Sequence, residues 1–371
     1  MNTKQITLAL LAAATAGALS SAYADDNSNV VIYGYVRAGV EMLNGNANSD
    51  WGFATANGAA AHNDKVATNN VSGRAEINFK GTENLGNGLA SVWQVQNEFT
   101  PTGSGTVDDE HTYRAGYFAS DDSFVGLKSA SMGELRLGRG TGNFEDGKYE
   151  NSVIVGPDQV QGWFGDAEGL NMVRYDLPTF GGVNSSLQYA TEENKTRTYN
   201  GTQHVSVNAS YDVGSWGISA AYCSTSNAMV TDGTQAAVQA SGQTTAFAWA
   251  SNQGATGTLG QAHLTAMVKP TDSVQLVVEL QHNTLAGDSQ NQGAVYAYYT
   301  LGATQLGLQG GVQTYGGDKP ANLDSGKFVD AFLHYNFSKK TMGYIEVLDS
   351  KNGAAGEGSR VMSTIGLSTN F

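Results

Sequence analysis

The segment Arg360-Val-Met-Ser-Thr-Ile-Gly-Leu-Ser-Thr-Asn-Phe371 alternates and ends on an aromatic residue. Val361, Ile365, Leu367 and Phe371 fall on one face of an extended strand, and Arg360, Thr364, Gly366, Ser368 and Asn370 on the other. Successive side chains of a strand point to opposite faces, so the segment has one apolar face and one polar or small one. Residues 30–42 repeat the pattern, with Val30, Ile32, Val36, Val40 and Met42 against Tyr33, Tyr35, Arg37 and Glu41. So do residues 71–81, with Val71, Ala75, Ile77 and Phe79 against Arg74, Glu76, Asn78 and Lys80. Residues 89–99, 274–281 and 328–337 follow suit.

A soluble sandwich alternates as well, with its apolar face inward. Two features favour a membrane barrel instead. The segments match the roughly 9–11 residues that a tilted membrane strand needs. The connections also alternate in length: short at 83–88, 129–132, 178–182, 212–215, 270–272 and 338–341, and long and polar near 43–70, 100–112, 141–170, 191–203, 225–259, 284–291, 316–325 and 350–359. Short turns at one rim and longer loops at the other are the habit of outer-membrane barrels.

Seventeen stretches read as strands, 243–252 among them. Keeping that stretch as a spanning strand would put the tight Pro270 turn on the long-loop side. Dropping it restores the alternation, so the expectation is an all-β, sixteen-stranded antiparallel transmembrane barrel with 243–252 in a large outer loop. Lipid offers no hydrogen-bond partners, so such a sheet must close, pairing the first strand with the last. Sixteen strands enclose a lumen too wide for side chains to fill. The inward faces read as Arg, Lys, Glu, Gln, Asn and Ser in place of interlocking aliphatics, which predicts an aqueous channel.

Residues 1–24 read as a signal peptide: Lys4, an apolar run from Ile6 to Leu19, and Ala22-Tyr23-Ala24 as an A-x-A site. Residues 25–371 are then the barrel domain, in the outer membrane after export. The chain holds 47 Gly, 17 Tyr and 13 Phe but only 5 Pro and 1 Cys, a composition suited to many antiparallel strands. Removing Lys4 with residues 1–24 takes the formal charge from −14 to −15, which argues against a nucleic-acid partner. Cys223 is the single cysteine, read as a buried or wall-lining small residue. The six His (62, 111, 204, 263, 282, 334) are scattered, and no G-x-S-x-G, H-E-x-x-H or P-loop is present, so the chain reads as a non-enzyme. No motif implies a metal or a cofactor.

The connection 141–170 carries Glu145, Asp146, Glu150, Asp158, Asp166 and Glu168 against Lys148 alone. By spacing alone it is an outer surface loop with ordinary solvated charge.

Several segments resemble the Gram-negative general porins of the neisserial and burkholderial type. The densest is Phe79-Lys-Gly-Thr-Glu-Asn-Leu-Gly-Asn-Gly-Leu-Ala-Ser-Val-Trp-Gln94. Ser123-Phe-Val-Gly-Leu-Lys128 with Gly133-Glu-Leu-Arg-Leu-Gly-Arg139, Asn171-Met-Val-Arg-Tyr-Asp-Leu-Pro178, Tyr335-Asn-Phe-Ser-Lys-Lys-Thr341 and the terminal Phe371 complete the set. The similarity is dense over 30–190 and 326–371. It implies a homotrimer among outer-membrane lipid and lipopolysaccharide, a diffusion channel for ions and small hydrophilic solutes, and recognition of Phe371 by the barrel assembly machinery. It also implies that loop 141–170 folds into the lumen as a constriction, facing a cluster of wall bases.

On this sequence the matching bases are Arg37, Arg74 and Arg136. Alternation independently points all three into the lumen, beside outward Val36, Ala75 and Leu135, and Lys128 and Arg174 follow by the same logic. Each could instead be held by a wall carboxylate such as Glu41 or Glu76. Arg139 has the opposite parity to Arg136 and stays outside the cluster. Wall arginines favour anions while loop acids favour cations; the expectation is a weak anion preference. A substrate-specific channel or an adhesin-like barrel is the alternative.

Overall fold

Alternation along the sequence becomes a closed wall in the computed structural model, which describes residues 29–46, 65–99, 101, 118–140, 143, 146, 149, 169–191, 203–229, 256–285, 287–316, 325–351 and 359–371. The strands are β1 (Asn29–Asn46), β2 (Lys65–Gly86), β3 (Leu89–Val95, resuming at Glu98–Phe99), β4 (Ser123–Ser129), β5 (Gly133–Gly140), β6 (Gly169–Asp176), β7 (Val183–Thr191) and β8 (Gln203–Asp212). They continue as β9 (Trp216–Met229), β10 (Thr256–Thr271), β11 (Val274–Leu285), β12 (Asp288–Leu301), β13 (Thr304–Gly316), β14 (Gly326–Asn336), β15 (Thr341–Lys351) and β16 (Arg360–Asn370). Each pairs antiparallel with its sequence neighbours, and β16 pairs with β1, which closes the barrel at sixteen strands. The expected seam is therefore present: Val36 lies opposite Thr369, Arg37 opposite Ser368 and Val40 opposite Ile365.

The third strand is interrupted at Gln96 and Asn97. Asn97 replaces the lost ladder contacts. Its Nδ2 donates to the Ile77 carbonyl at 3.0 Å, its Oδ1 accepts from the Ala119 amide at 2.7 Å, and its backbone amide donates to Asn78 Oδ1 at 3.0 Å. The strand can thus kink without leaving buried amide groups unmet.

Short turns fall at one rim as the sequence predicts. Between β2 and β3, Asn87 and Gly88 have φ of 53° and 76°. A tight hairpin turn needs positive φ at both central residues, and Asn-Gly supplies them at low cost. The stretch 284–291, expected as a long polar loop, is instead mostly strand. Leu285 pairs with Asp288 across a tight hairpin that includes Gly287 at φ 93°. Its polar residues were misleading because they line the lumen: Asp288 and Gln290 are buried on the inner wall. The stretch 243–252 lies outside the described residues.

The outer surface is apolar. Leu306, Leu333, Ile345, Ile365 and Val40 follow one another across β13, β14, β15, β16 and β1, all pointing outward. In water this band would be a serious liability, while in a bilayer it is the solvated face. Near the short turns the band gives way to aromatic pairs, Tyr211 with Trp216 at 5.3 Å between ring centroids and Tyr335 with Phe337 at 5.1 Å. Amphipathic rings belong at a membrane interface. Ile345→Arg is expected to cost about 2–4 kcal/mol of folding stability in bilayers. Urea titration of the protein folded into vesicles checks this, and an unchanged midpoint would contradict a lipid-facing Ile345.

Candidate functional site

Inward parity gathers the bases on one side of the lumen. Arg37 on β1 lies directly opposite Arg74 on β2, and Arg136 on β5 directly opposite Arg174 on β6. Like charges facing each other across a ladder repel, so each pair needs nearby acids. Arg74 Nε lies 2.6 Å from Glu98 Oε1, with Glu76 at 3.9 Å. Arg136 Nε lies 2.6 Å from Glu134 and its terminal nitrogen 3.2 Å from Asp176. Arg174 reaches Asp176 at 2.8 Å. The carboxylate partnership weighed from sequence is thus present for Arg74 with Glu76, in second place behind Glu98. Arg37 stands 5.9 Å from the Tyr35 ring centroid, and Arg136 covers the Phe124 ring at 4.9 Å.

Lys128 is lumen-facing and shares Glu134 with Arg136, at 3.2 Å. It sits one residue before the end of β4, beside the short turn to β5, and its side chain is 61% exposed. That places it at the rim, away from a constriction.

Exposure decides which sign the lumen presents. The side chains of Arg74 and Arg136 keep 26% of their surface, whereas Glu98 keeps 3% and Glu134 12%. At these two positions the carboxylates lie behind the guanidinium groups and the wall presents positive charge, whereas Arg174, at 11%, is less exposed than Asp176 at 23%.

From the long connection between β5 and β6, Asn143, Asp146 and Tyr149 are described, and all three lie against the inner wall. Asn143 is fully buried. Its Nδ2 donates to the carbonyl and Oγ of Ser186, both at 3.0 Å, its amide donates to Gln188 Oε1 at 3.2 Å, and Ser206 Oγ donates to its Oδ1. The Asp146 carbonyl accepts from Ser219 Oγ at 2.7 Å and Asn208 Nδ2 at 3.0 Å, while its carboxylate meets Arg174 at 2.5 Å. The Tyr149 carbonyl accepts from Gln275 on β11 at 3.1 Å. Through these residues the connection reaches from β6 and β7 across to β11, inside the barrel. A solvated outer loop, the reading that spacing alone favours, does not fit Asn143, Asp146 and Tyr149. Glu145, Glu150, Asp158, Asp166 and Glu168 lie outside the described residues.

Burial raises the Asp146 carboxyl above its usual range, with the Arg174 guanidinium pulling the other way. Burial pushes the Tyr149 hydroxyl up to about 12, helped by Asp212.

Further round the barrel the wall has a different character. Tyr296, Tyr298, Phe328, Phe332, Tyr344 and Leu348 point inward from β12, β14 and β15 and pack into one apolar cluster, which Tyr149 joins. This corrects the expectation that inward faces lack interlocking apolar residues. The signal is in the sequence: Phe328 and Phe332 share parity with Asp330 and His334. Polar groups of this wall are tied to each other. Glu279 accepts from Tyr296 at 2.5 Å and pairs with His263 at 2.7 Å, while Gln309 donates to Asp330 at 2.5 Å. Cys223 is buried on the inner face of β9, its sulfur 3.8 Å from Thr225 Oγ1, as the wall-lining reading expects.

A family model described as "Gram-negative porin" matches residues 7–355 of this chain. Among curated relatives, the major outer membrane protein P.IB of Neisseria meningitidis serogroup B is 31% identical over 193 residues, 49% of this chain and 50% of the relative. The major outer membrane protein P.IA of Neisseria meningitidis serogroup C is 29% identical over 183 residues, 46% of this chain and 44% of that one. The chain thus spans about half the length of the curated relatives it matches. Among solved structures, an anion-selective porin from Comamonas acidovorans superposes with a TM-score of 0.66 at 18% identity, covering 93% of this chain and all of that one. A loop-deletion mutant of OmpT, an outer membrane protein of Vibrio cholerae, gives 0.62 at 14% identity with 93% of this chain covered. These structures share its fold.

Proposed function

This chain belongs to the Gram-negative porin family and is placed in the outer membrane, and on that footing we propose that it forms a water-filled channel through which ions and small hydrophilic solutes diffuse, with a weak preference for anions. The observation that carries the reading is the pair of guanidinium ladders, Arg37 with Arg74 and Arg136 with Arg174, in which the Glu98 and Glu134 carboxylates lie more deeply buried than the Arg74 and Arg136 side chains they pair with. No bond chemistry is involved. The barrel lowers the cost of crossing hydrocarbon by supplying water and a polar wall, and selection comes from pore radius and fixed charge.

The loop acid Asp146 brings negative charge to the same region, and at 36% its side chain is more exposed than Arg174 at 11%. Positive wall and negative loop oppose each other, so the net preference is small. Charge outside the narrow region counts little, because it is screened over about 8–10 Å at physiological salt. The anion-selective character of the Comamonas relative supports the same sign.

The mature chain would begin near Asp25 once residues 1–24 are removed, assemble as a homotrimer among phospholipid and lipopolysaccharide, and present Phe371 to the assembly machinery. Phe371 is 44% exposed at the end of the closing strand, which leaves its ring within reach of a receptor. Deleting Phe371 is expected to lower the yield of folded outer-membrane protein severalfold without changing the conductance of the channels that form. Wild-type yield of the truncated chain would remove the assembly role.

A further inference from the structure

On the outside of the barrel, two rungs of side chains cross β11 to β15. The upper rung runs Leu280, Gly293, Val312, Lys327 and Lys351; the lower runs Val278, Val295, Gly310, Val329 and Asp349. Gly293 and Gly310 put no side chain on the outer face of two adjacent strands. Between Leu280 and the flanking valines this leaves an open groove of about 580 Å³.

The rim carries charge on an otherwise apolar surface. Lys327 and Lys351 stand directly opposite each other on β14 and β15, with Asp349 one rung below on the same face, so the three side chains bring one net positive charge to the rim. β14 begins at Gly326 and β15 ends at Lys351, at the rim of the long connections. In an outer-membrane barrel that rim faces the outer leaflet. The site is therefore apolar over β11 to β13 and charged, with two lysines and one aspartate, over β14 and β15, at the depth where an outer-leaflet lipid changes from acyl chain to headgroup.

We propose that this notch is a binding site for one phosphate-bearing lipid of the outer leaflet, its acyl chain lying over Gly293 and Gly310 and its phosphate held by Lys327 and Lys351. Asp349, one rung deeper, would accept from a hydroxyl or ammonium of the same headgroup. The site lies on the wall away from the guanidinium ladders, so it does not depend on the channel reading.

Native mass spectrometry of the purified protein in neutral detergent tests it. The probes are a diacyl lipid with a bare phosphate headgroup, a diacylglycerol with the same chains, and inorganic phosphate alone. Wild type is expected to retain the phosphate lipid, with binding about tenfold weaker in K327Q/K351Q and in G310L; diacylglycerol binds as weakly as in the double variant, and phosphate alone does not bind. Equal retention by all three proteins would overturn the site, as would phosphate binding without chains. A changed subunit number in G310L would overturn it too, by assigning the notch to a second copy of the chain. Conductance of the variants stays at the wild-type level, so a failure here is distinguishable from a failure of the channel.

Discussion

The double variant R74Q/R136Q is expected to turn a weakly anion-preferring channel into a cation-preferring one. In the wild type the two guanidinium groups stand in front of Glu98 and Glu134. Replacing them by amides removes two positive charges and uncovers two negative ones, with little change in volume. A unit charge at about 4 Å is worth about 1 kcal/mol in water. Each base shifts an anion and a cation by about that much in opposite directions, so removing one is worth up to about 2 kcal/mol on their relative passage, roughly 30-fold, and removing both is worth more. Reversal potentials in a salt gradient measure this directly, and a potential unchanged in sign would show that these arginines only brace the wall. Adding E98Q and E134Q removes the uncovered acids and is expected to restore a near-neutral preference.

Asn143→Ala is expected to detach the inward loop. Asn143 donates to Ser186 and Gln188 and accepts from Ser206 in a fully buried site. Truncating it leaves several buried polar groups unmet, at about 1–3 kcal/mol each. About 2.7 kcal/mol is already a hundredfold change in how often the loop leaves the wall. Open-channel current noise should rise, and limited proteolysis should cut within 141–170 where wild type resists. Noise and resistance equal to wild type would show that the loop is held elsewhere.

The ion pair between Asp146 and Arg174 is the more conspicuous tie, and its effect on docking depends on pH. Burial outweighs Arg174 and raises the Asp146 carboxyl above its ordinary 3.8. A proton is then bound more tightly with the loop docked than with it free, so attachment strengthens as pH falls through the raised value and weakens as pH rises through it. D146N should accordingly keep the loop docked while moving the ion preference further toward anions.

The alternation of the strands was legible because lipid allows only one kind of outer face. Outward positions across the hydrocarbon are apolar, so side-chain parity pointed Arg37, Arg74, Arg136 and Arg174 inward, while the alternation of short and long connections gave the strand count. The hairpin at 284–291 was not legible, since a lumen-facing strand extending to the rim carries the same Asn, Ser and Gln residues as a loop. The aromatic cluster of Tyr296, Phe328 and Phe332 is hard to read for the converse reason: parity marks the outward apolar residues, and it does not distinguish an inward aromatic from a polar wall residue. The docking of Asn143 is invisible to local pattern, because its partners Ser186 and Ser206 are ordinary wall residues until the loop meets them. Pairing of each arginine with a specific acid depends on cross-strand register, which one-dimensional spacing leaves open.

A planar bilayer separating two concentrations of potassium chloride gives the most direct measurement, with purified wild-type protein added to one side. The expected record is a series of stepwise conductance increases, with a small reversal potential of the sign set by chloride. A membrane that stays silent would contradict the channel, and a reversal potential of the sign set by potassium would contradict the role given to the arginine ladders.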